Sequence, residues 1–230
     1  MRKIAVVTGA TSLIGANLLP LLCEAGYTVY AAVRRGSQKP LPQDAKIVRV
    51  ECDLSETDSL AERIGRADVF FHLAWNGTRG ADRSDEALQQ ANYEASLAAL
   101  EAAKKLGCAC FVGAGSQAEY GVCSEEITEE TVPAPNTAYG RAKLAFTRDG
   151  GARAQAAGMR FVMPRFFSLY GKGDYPNTIL QSLVTKLLRG EDCPLTACTQ
   201  FWNFMYIADA VRAMLYLAEG GFSGVYNFAT

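Results

Sequence analysis

The 230-residue sequence predicts an α/β fold, in which a doubly wound parallel sheet carries helices on both faces and a small lobe follows at the C-terminus. Short apolar, β-branched runs alternate with longer stretches of helical periodicity, as in parallel strands joined by crossover helices. Gly26, Gly107 and Gly158 each end a helical stretch just before an apolar run, and helix C-termini favour glycine. These two observations predict the fold class.

The elements follow in order from the same patterns. The predicted strands of the sheet are KIAVVT, TVYAAV, AKIVRVEC, DVFFHLA, CACFVGA and MRFVMPRF. Because the runs are apolar throughout, we expect them to be buried on both faces. The predicted helices span residues 14–25, 84–106 and 138–157. After residue 171 the predicted order is a helix over 178–189, a strand over 201–205, a helix over 207–218 and a strand over 225–228.

The composition limits the class of protein. A net charge of −1 without a basic cluster argues against nucleic-acid binding. Seven cysteines without disulfide-framework spacing favour a reducing compartment, and a single histidine, His72, argues against a zinc site. The N-terminal apolar run is interrupted by Gly9, Gly15 and Pro20, unlike a secretory signal, and no run is long enough to span a membrane. A cytoplasmic enzyme is expected.

A glycine loop, TGATSLIG at residues 8–15, lies where the first strand meets the first helix. The N–H groups and dipole of a helix N-terminus favour a pyrophosphate there. We expect a Rossmann-type dinucleotide site, and a tight turn without a ligand is the alternative. The expected cofactor contacts in the loop are Gly9, Thr11, Ser12, Leu13, Ile14 and Gly15. Residues 1–170 are then the NAD(P)-binding domain, and 171–230 a partial substrate-binding lobe interleaved with the last sheet elements.

Two further positions bear on the cofactor. Arg34 and Arg35 follow the second strand, where an acidic residue would bind the ribose 2′-hydroxyl of NAD. An arginine pair instead favours the 2′-phosphate of NADP, with NAD as the alternative. Asp53 and Leu54 follow the third strand, where the Asp53 carboxylate could accept from the adenine amino group or cap the next helix.

A candidate catalytic pair lies at Tyr139 and Lys143, which share one helix face because they are four residues apart. A nearby cation is expected to lower the pKa of the phenol from about 10 and so allow proton exchange near neutral pH. Ser116 ends the fifth predicted strand at the same sheet edge, where its hydroxyl could bind a substrate oxygen.

The ordered motifs resemble the extended short-chain dehydrogenase/reductases, also called the NAD-dependent epimerase/dehydratase family, which act largely on nucleotide sugars. The resemblance is carried by TGATSLIG, CDLSE, FFHLAW, Asn92, VGAGSQAEYG, YGRAK, PRFFSLYGKG and WNFMYIADAV. It implies that Ser116, Tyr139 and Lys143 form the catalytic triad: Tyr139 exchanges the proton, Lys143 holds the nicotinamide ribose and Ser116 orients the reacting oxygen.

The resemblance also implies further contacts. The cofactor contacts already expected are the loop residues together with Arg34, Asp53, Leu54, Tyr139 and Lys143. The resemblance adds six more: Leu73, Ala74, Trp75, Asn92, Ala114 and Phe166. It implies as substrate contacts Trp75, Ser116, Gln117, Ser168 and Asn177. Tyr120 could touch substrate or pack in the core. The resemblance is compatible with a homodimer.

Several residues depart from the family pattern. Ser12 replaces the middle glycine of the loop, and Gln117 and Ala118 replace the Asp-Glu pair that eliminates water in sugar 4,6-dehydratases, so dehydration is not expected. Ser168 stands where an asparagine contacts the substrate diphosphate, and Trp202 where an arginine often binds it. The side chains that could compensate are those of Arg141, Lys172 and Asn177.

The first expected function is NADPH-dependent reduction of a 4-keto nucleotide sugar. The alternatives are a 4-epimerase that retains its cofactor and a non-catalytic NADP-sensing protein. His72 could serve as a general base, but a hydrogen-bonded histidine at a strand end is the expected role.

Overall fold

The computed structural model describes residues 3–230; Met1 and Arg2 lie outside the described residues. The strands are β1 Lys3–Thr8, β2 Tyr27–Val33, β3 Ile47–Glu51, β4 Val69–His72, β5 Cys110–Val112, β6 Gly115–Ser116, β7 Arg160–Phe166, β8 Ser168–Tyr170, β9 Phe204–Tyr206 and β10 Gly224–Phe228. The α-helices are α1 Leu13–Glu24, α2 Leu60–Ile64, α3 Glu86–Lys105, α4 Ala138–Ala156, α5 Ile179–Leu188 and α6 Ile207–Glu219. Short 3-10 helices span Leu54–Ser59, Gly80–Ser84 and Gln117–Glu119.

The main sheet is parallel, with the strand order β10-β7-β5-β4-β1-β2-β3, and β6 pairs with β7 beside this path. The order reverses direction between β1 and β4, and such switch points open a crevice at the carboxyl ends of the strands. The Rossmann-type doubly wound sheet predicted from the sequence is confirmed. Strands β8 and β9 form a separate parallel pair.

Each face of the sheet has its own apolar core. Ala5 and Val7 of β1 pack in a core with α1 and α6, whereas Val6, between them, packs in a core with α3 and α4. All three are fully buried, so β1 is covered on both faces, as its uninterrupted apolar run predicts.

The C-terminal elements differ from the predicted ones in detail. The strand predicted over 201–205 is β9, Phe204–Tyr206, and β8, which pairs with it, was not predicted as a strand. Strand β10, predicted over 225–228, joins the edge of the main sheet beside β7, in agreement with a lobe interleaved with the last sheet elements. Within residues 3–230, no helix combines the length and apolarity needed to cross a membrane.

Candidate active site

The glycine loop brings three backbone segments close together. Gly9 has a φ of +66°, and a Cβ there would lie 2.7 Å from the backbone N of Ala74 in the loop after β4. A Cβ on Gly15 would lie 2.4 Å from the carbonyl oxygen of Gly9. Both positions therefore require glycine. Ser12 does not, because its φ is −74° and its hydroxyl caps α1 by accepting from the Gly15 N–H at 3.1 Å.

A first cavity of about 1000 Å³ opens at the switch point, above the N-terminus of α1. Most of the predicted cofactor contacts line it: Gly9, Thr11, Ser12, Arg34, Asp53, Leu54, Leu73, Ala74, Trp75 and Asn92. Its position at the carboxyl ends of β1, β2 and β4 is where open α/β sheets bind dinucleotides.

A second cavity of about 1020 Å³ shares Ser12, Leu73, Trp75 and Tyr175 with the first, so the two spaces adjoin. It is lined by the other predicted site residues: Leu13, Ile14, Ala114, Ser116, Tyr139, Lys143, Phe166, Ser168 and Asn177. Gln117, predicted to contact substrate, and Gly15 line neither cavity. Gly15 is buried beneath the loop, whereas Gln117 lies in the 3-10 helix that follows Ser116.

The candidate catalytic residues come from two neighbouring elements. Tyr139 and Lys143 lie one turn apart on α4, which Thr137 caps by accepting from the Gly140 N–H at 3.1 Å. Ser116 ends β6, its hydroxyl accepts from the Ala118 N–H at 3.2 Å, and it lies close enough to the Tyr139 phenol to lower the pKa of that phenol. The Lys143 ammonium donates to the Ala114 carbonyl at 2.7 Å. All three side chains line the second cavity, although Tyr139 and Lys143 are mostly buried.

The charge state of this trio differs from the sequence prediction. Burial raises the pKa of Tyr139, while the Ser116 hydroxyl and the nearby Arg83 guanidinium partly oppose that rise. Burial also lowers the pKa of Lys143 to about 7, against the opposing effect of the Glu119 carboxylate. The predicted lowering of the Tyr139 pKa is therefore wrong: burial raises that pKa, and the Lys143 ammonium, itself made less basic, lies 5.7 Å from the centre of the tyrosine ring.

His72 is a buried structural residue. Its Nδ1 is 2.9 Å from the Thr8 hydroxyl, and its Nε2 is 3.1 Å from the Ser96 hydroxyl. Burial lowers the pKa of His72 to about 3, so the ring is neutral at physiological pH. The expectation of a hydrogen-bonded histidine at a strand end is confirmed. Because Thr8 also accepts from the Ala74 N–H at 3.3 Å, the histidine helps to position the loop after β4.

Helix α3 holds the same loop from the other side. The Asn92 amide bonds both backbone groups of Asn76, accepting at 3.0 Å and donating at 2.8 Å. Gln89 accepts from the Trp75 indole N–H at 2.7 Å. The indole ring thereby stands 3.5 Å from the Lys143 ammonium, a close cation–π contact between the two cavities.

Both arginines predicted to select NADP already have partners. Arg34 donates to the Asn76 side-chain oxygen at 3.0 Å. Arg35 pairs with Asp53 at 3.6 Å and with Glu56 at 2.5 Å. The Asp53 side chain accepts from the Arg35 N–H rather than capping the 3-10 helix that follows, so the capping alternative is not observed.

Two of the departures from the family pattern, Ser168 and Trp202, lie together on the substrate side. The Trp202 indole donates to the Ser168 hydroxyl at 2.6 Å, and both residues line the second cavity. Of the residues expected to compensate, Asn177 also lines this cavity. Arg141 does not: it forms an ion pair with Glu86. Lys172 lines neither cavity.

Two groups of residues near the site were missed by sequence reasoning. The Glu119 carboxylate, fully buried, accepts from the Ser116 N–H at 2.9 Å and from the Arg165 guanidinium at 2.9 Å. A glutamate directly before Tyr120 carries no sequence signal for such burial. Arg79 and Arg83, in the loop after β4, line the second cavity. Arginines in a polar loop are common, so only the structure distinguishes them.

The sequence was compared with known families and proteins. Residues 5–229 match the model of the NAD-dependent epimerase/dehydratase family. A similar curated protein is the uncharacterized UDP-glucose epimerase YtcB of Bacillus subtilis strain 168. The two sequences are 27% identical over 226 residues, which cover 91% of this chain and 70% of that protein.

Solved structures share the fold over nearly the whole chain. The UDP-N-acetylglucosamine 4-epimerase of Methanobrevibacter ruminantium M1, in complex with UDP-N-acetylmuramic acid, superposes with a TM-score of 0.87 at 23% identity, over 99% of this chain and 76% of that one. MoeE5, in complex with UDP-glucose and NAD, superposes with a TM-score of 0.83 at 29% identity, over 98% of this chain and 76% of that one. Since the family model spans almost every residue, this chain is an enzyme of the NAD-dependent epimerase/dehydratase family, the extended short-chain dehydrogenase/reductases.

Proposed function

We propose that the protein is a nucleotide-sugar epimerase that inverts the hydroxyl on C4 of the sugar and retains a bound NAD. The observation that carries this proposal is that Ser116, Tyr139 and Lys143 line the second cavity, which adjoins the first. One cavity has the position and the loop of a dinucleotide site. The other leaves room for a sugar against the tyrosine.

The residues of the first cavity fit a nicotinamide dinucleotide. Glycine at position 9 lets the glycine loop lie directly against the backbone of Leu73 and Ala74, and the N-terminus of α1 presents N–H groups to a pyrophosphate. The Asp53 and Arg34 side chains would face the adenosine end. Lys143 and Tyr139 would face the nicotinamide ribose. When bound there, a nicotinamide cofactor would supply reversible hydride transfer at C4, with the hydride returned to the opposite face of that carbon.

The chain itself moves the proton. In the proposed reaction Tyr139 acts as the phenolate, the form that the neighbouring Ser116 hydroxyl and Arg83 charge favour against burial. Its oxygen accepts the proton of the C4 hydroxyl as the carbon is oxidised, and the resulting phenol gives that proton back on reduction. Ser116 donates a hydrogen bond to the same sugar oxygen and so holds it at the tyrosine.

NAD is favoured over NADP by two observations. Arg35 lies between two carboxylates, and Arg34 is bound to Asn76, so a 2′-phosphate would have to displace existing contacts. MoeE5, at 29% identity, is described with NAD and UDP-glucose, which supports a UDP-sugar substrate here as well. The NADPH-dependent reduction and the homodimer stay predictions without support from the comparisons.

The experiment combines turnover with cofactor identity. One sample of purified protein is denatured, and any released nucleotide is identified by mass spectrometry. On a separate, folded sample, thermal shifts are measured with NAD and with NADP. The tighter cofactor raises the melting temperature more. The protein is next incubated with UDP-hexoses, including UDP-glucose and UDP-glucuronate, with the epimers resolved by chromatography and absorbance followed at 340 nm.

We expect NAD to give the larger thermal shift, and a C4 epimer to form without net production of NADH. Stoichiometric consumption of NADPH with a 4-keto sugar would instead establish the reductase. Cofactor binding without turnover of any nucleotide sugar would favour the non-catalytic sensor.

A further inference from the structure

Two arginines face the sugar side of the second cavity. Arg79 precedes the 3-10 helix Gly80–Ser84 in the loop after β4 and Arg83 lies in its last turn; both line the cavity that also contains Ser116 and Tyr139. Neither is explained by the proposed proton transfer, and neither lines the cofactor cavity.

Both guanidinium groups stack on aromatic rings. The guanidinium carbon of Arg83 lies 4.4 Å from the centre of the Tyr139 ring, and that of Arg79 lies 3.8 Å from the centre of the Tyr175 ring. Stacking on a ring restricts the motion of a guanidinium group, but it provides no acceptor oxygen for the N–H donors of that group. Arg83 donates to the Thr78 carbonyl at 3.3 Å, which engages one of its five N–H donors.

The two positive charges have no carboxylate partner. Over residues 3–230, the ion pairs within 4.0 Å include neither Arg79 nor Arg83. The one acidic residue that lines this cavity, Asp174, accepts from the Tyr175 N–H and the Thr178 hydroxyl. A site with two restrained, unpaired guanidinium groups suits an anion with planar oxygens.

The position of Arg83 indicates which anionic group of the substrate it meets. For C4 chemistry, the C4 oxygen must lie within hydrogen-bond reach of the Tyr139 oxygen. In a pyranose, the C5 substituent is next to C4, whereas C1, which bears the diphosphate, lies across the ring. A cation stacked on the Tyr139 ring is therefore better placed for a group on C5 than for the diphosphate.

We propose that Arg79 and Arg83 form a carboxylate subsite, and that the substrate is a nucleotide-linked hexuronic acid whose C5 carboxylate binds there. This inference rests on the proposed epimerase function. Arg83 would hold the carboxylate beside Tyr139, and Arg79, from the other end of the short helix, would give it a second donor. Tyr175, which lines both cavities, positions Arg79.

The test compares UDP-glucuronate with UDP-glucose, which differ at C5 by a carboxylate against a hydroxymethyl group. Epimerisation kinetics and affinities by calorimetry with NAD present are measured for the parent protein, Arg79→Gln and Arg83→Gln. The control is Arg148→Gln, which removes an exposed arginine elsewhere on α4. Melting temperatures confirm that each variant is folded.

We expect the parent protein to prefer UDP-glucuronate at least about tenfold in kcat/KM, since a charge-assisted hydrogen bond contributes about 1.5–3 kcal/mol. Arg83→Gln should reduce this preference about 10- to 100-fold, and Arg79→Gln by a smaller factor, whereas Arg148→Gln should leave it unchanged. The preference is the readout, because Arg83 also contacts Tyr139 and its loss slows both substrates.

Three results would overturn the subsite. They are equal use of the two sugars, a preference that survives both substitutions, and an equal loss of affinity for both sugars, which would place the diphosphate at the arginines. If neither sugar is epimerised, the proposed function fails, and the calorimetric preference still decides whether the carboxylate binds at these arginines.

Discussion

Opposing effects act on the pKa of the Tyr139 phenol. Burial raises its pKa, and the Ser116 hydroxyl and the Arg83 charge lower it. The ammonium predicted to activate it stacks instead on Trp75, 3.5 Å from the ring centre. The pKa of Tyr139 is thus set first by burial, which its hydroxyl neighbour and a charged residue of another loop partly oppose.

Replacing Tyr139 by phenylalanine tests its chemical role. The variant removes only the hydroxyl, so we expect turnover to fall at least about 100-fold, the usual contribution of a positioned acid or base. The thermal shift with NAD should change little, because the ring and its packing remain. Turnover within threefold of the parent rate would contradict the assigned proton transfer.

Lys143 makes stability depend on pH. Its pKa is lowered to about 7 in the folded chain, against an ordinary value of 10.5. Between these values the unfolded chain binds more protons, so the free energy of unfolding rises with pH, by up to about 1.4 kcal/mol per pH unit. Urea unfolding at pH 7.5, 8.5 and 9.5 should show a steeper rise for the parent than for Lys143→Met. The exposed Lys105→Met serves as control and should keep the parent slope.

The buried ion pair of Glu119 and Arg165 helps to hold the segment that carries Ser116, because the Glu119 carboxylate also accepts from the Ser116 N–H. Arg165 is 4% exposed, and Thr147 also donates to the Glu119 carboxylate, at 3.1 Å. Glu119→Gln leaves the arginine charge buried without its partner, so we expect a loss of about 3–5 kcal/mol of unfolding free energy. Thermal and urea unfolding measure it, and a loss below 1 kcal/mol would contradict a tightly coupled pair.

At the scale of the element, α4 is positioned by close contact with the turn after Ser116. A Cβ on Gly140 would lie 2.3 Å from the carbonyl oxygen of Ala118, which is backbone and cannot move alone. A Cβ on Gly151, in the same helix, would meet only Phe161, at 3.6 Å. The glycine beside Tyr139 thus sets the distance between α4 and the Ser116 segment.

The two glycines make a matched pair of substitutions. Gly140→Ala should push α4 from Ser116 and lower kcat at least about tenfold, because small misplacements of reacting groups are costly. Gly151→Ala should keep activity and add about 0.5–1 kcal/mol of stability, since alanine favours a helix over glycine. Steady-state kinetics and thermal unfolding check both. Full activity in Gly140→Ala would show that the contact is not needed.

At the scale of the whole molecule, burial is uneven. Val6 and its neighbours in β1 are fully buried, whereas α5 has no buried residue, and Leu188 at its end is 84% exposed. Ile179 and Leu180, at the start of α5, line the second cavity. The side of that cavity formed by α5 is therefore much less buried than β1.

Hydrogen exchange should report this difference. Segments with few buried contacts open at low free energy, so amides of α5 should exchange at least about 100-fold faster than those of β1. A bound nucleotide sugar should slow exchange in α5 more than in β1, because α5 borders the second cavity. Mass spectrometry of the peptides measures both effects. Equal protection of the amides of α5 and β1 would contradict the expected difference in their local stability.

The sequence predicted the parts of the site that depend on local spacing. Tyr139 and Lys143 share a face because an α-helix repeats every 3.6 residues, and the glycine loop follows β1 because a strand and a helix must be joined there. The apolar runs likewise indicated which strands lie inside the sheet. Each of these follows from neighbours along the chain.

Only the tertiary structure decided which distant residues meet. Trp202 reaches Ser168 across 34 positions, and Glu119 reaches Arg165 across 46. The stacking of Arg83 on Tyr139, and the desolvation that sets the two pKa values, depend on how α4 packs against the loop after β4. Such contacts arise from the packing of whole elements, for which no periodicity in the sequence provides a signal. The sequence by itself determined the sheet, the glycine loop and the tyrosine–lysine pair; long-range packing decided their charges and the residues that surround them.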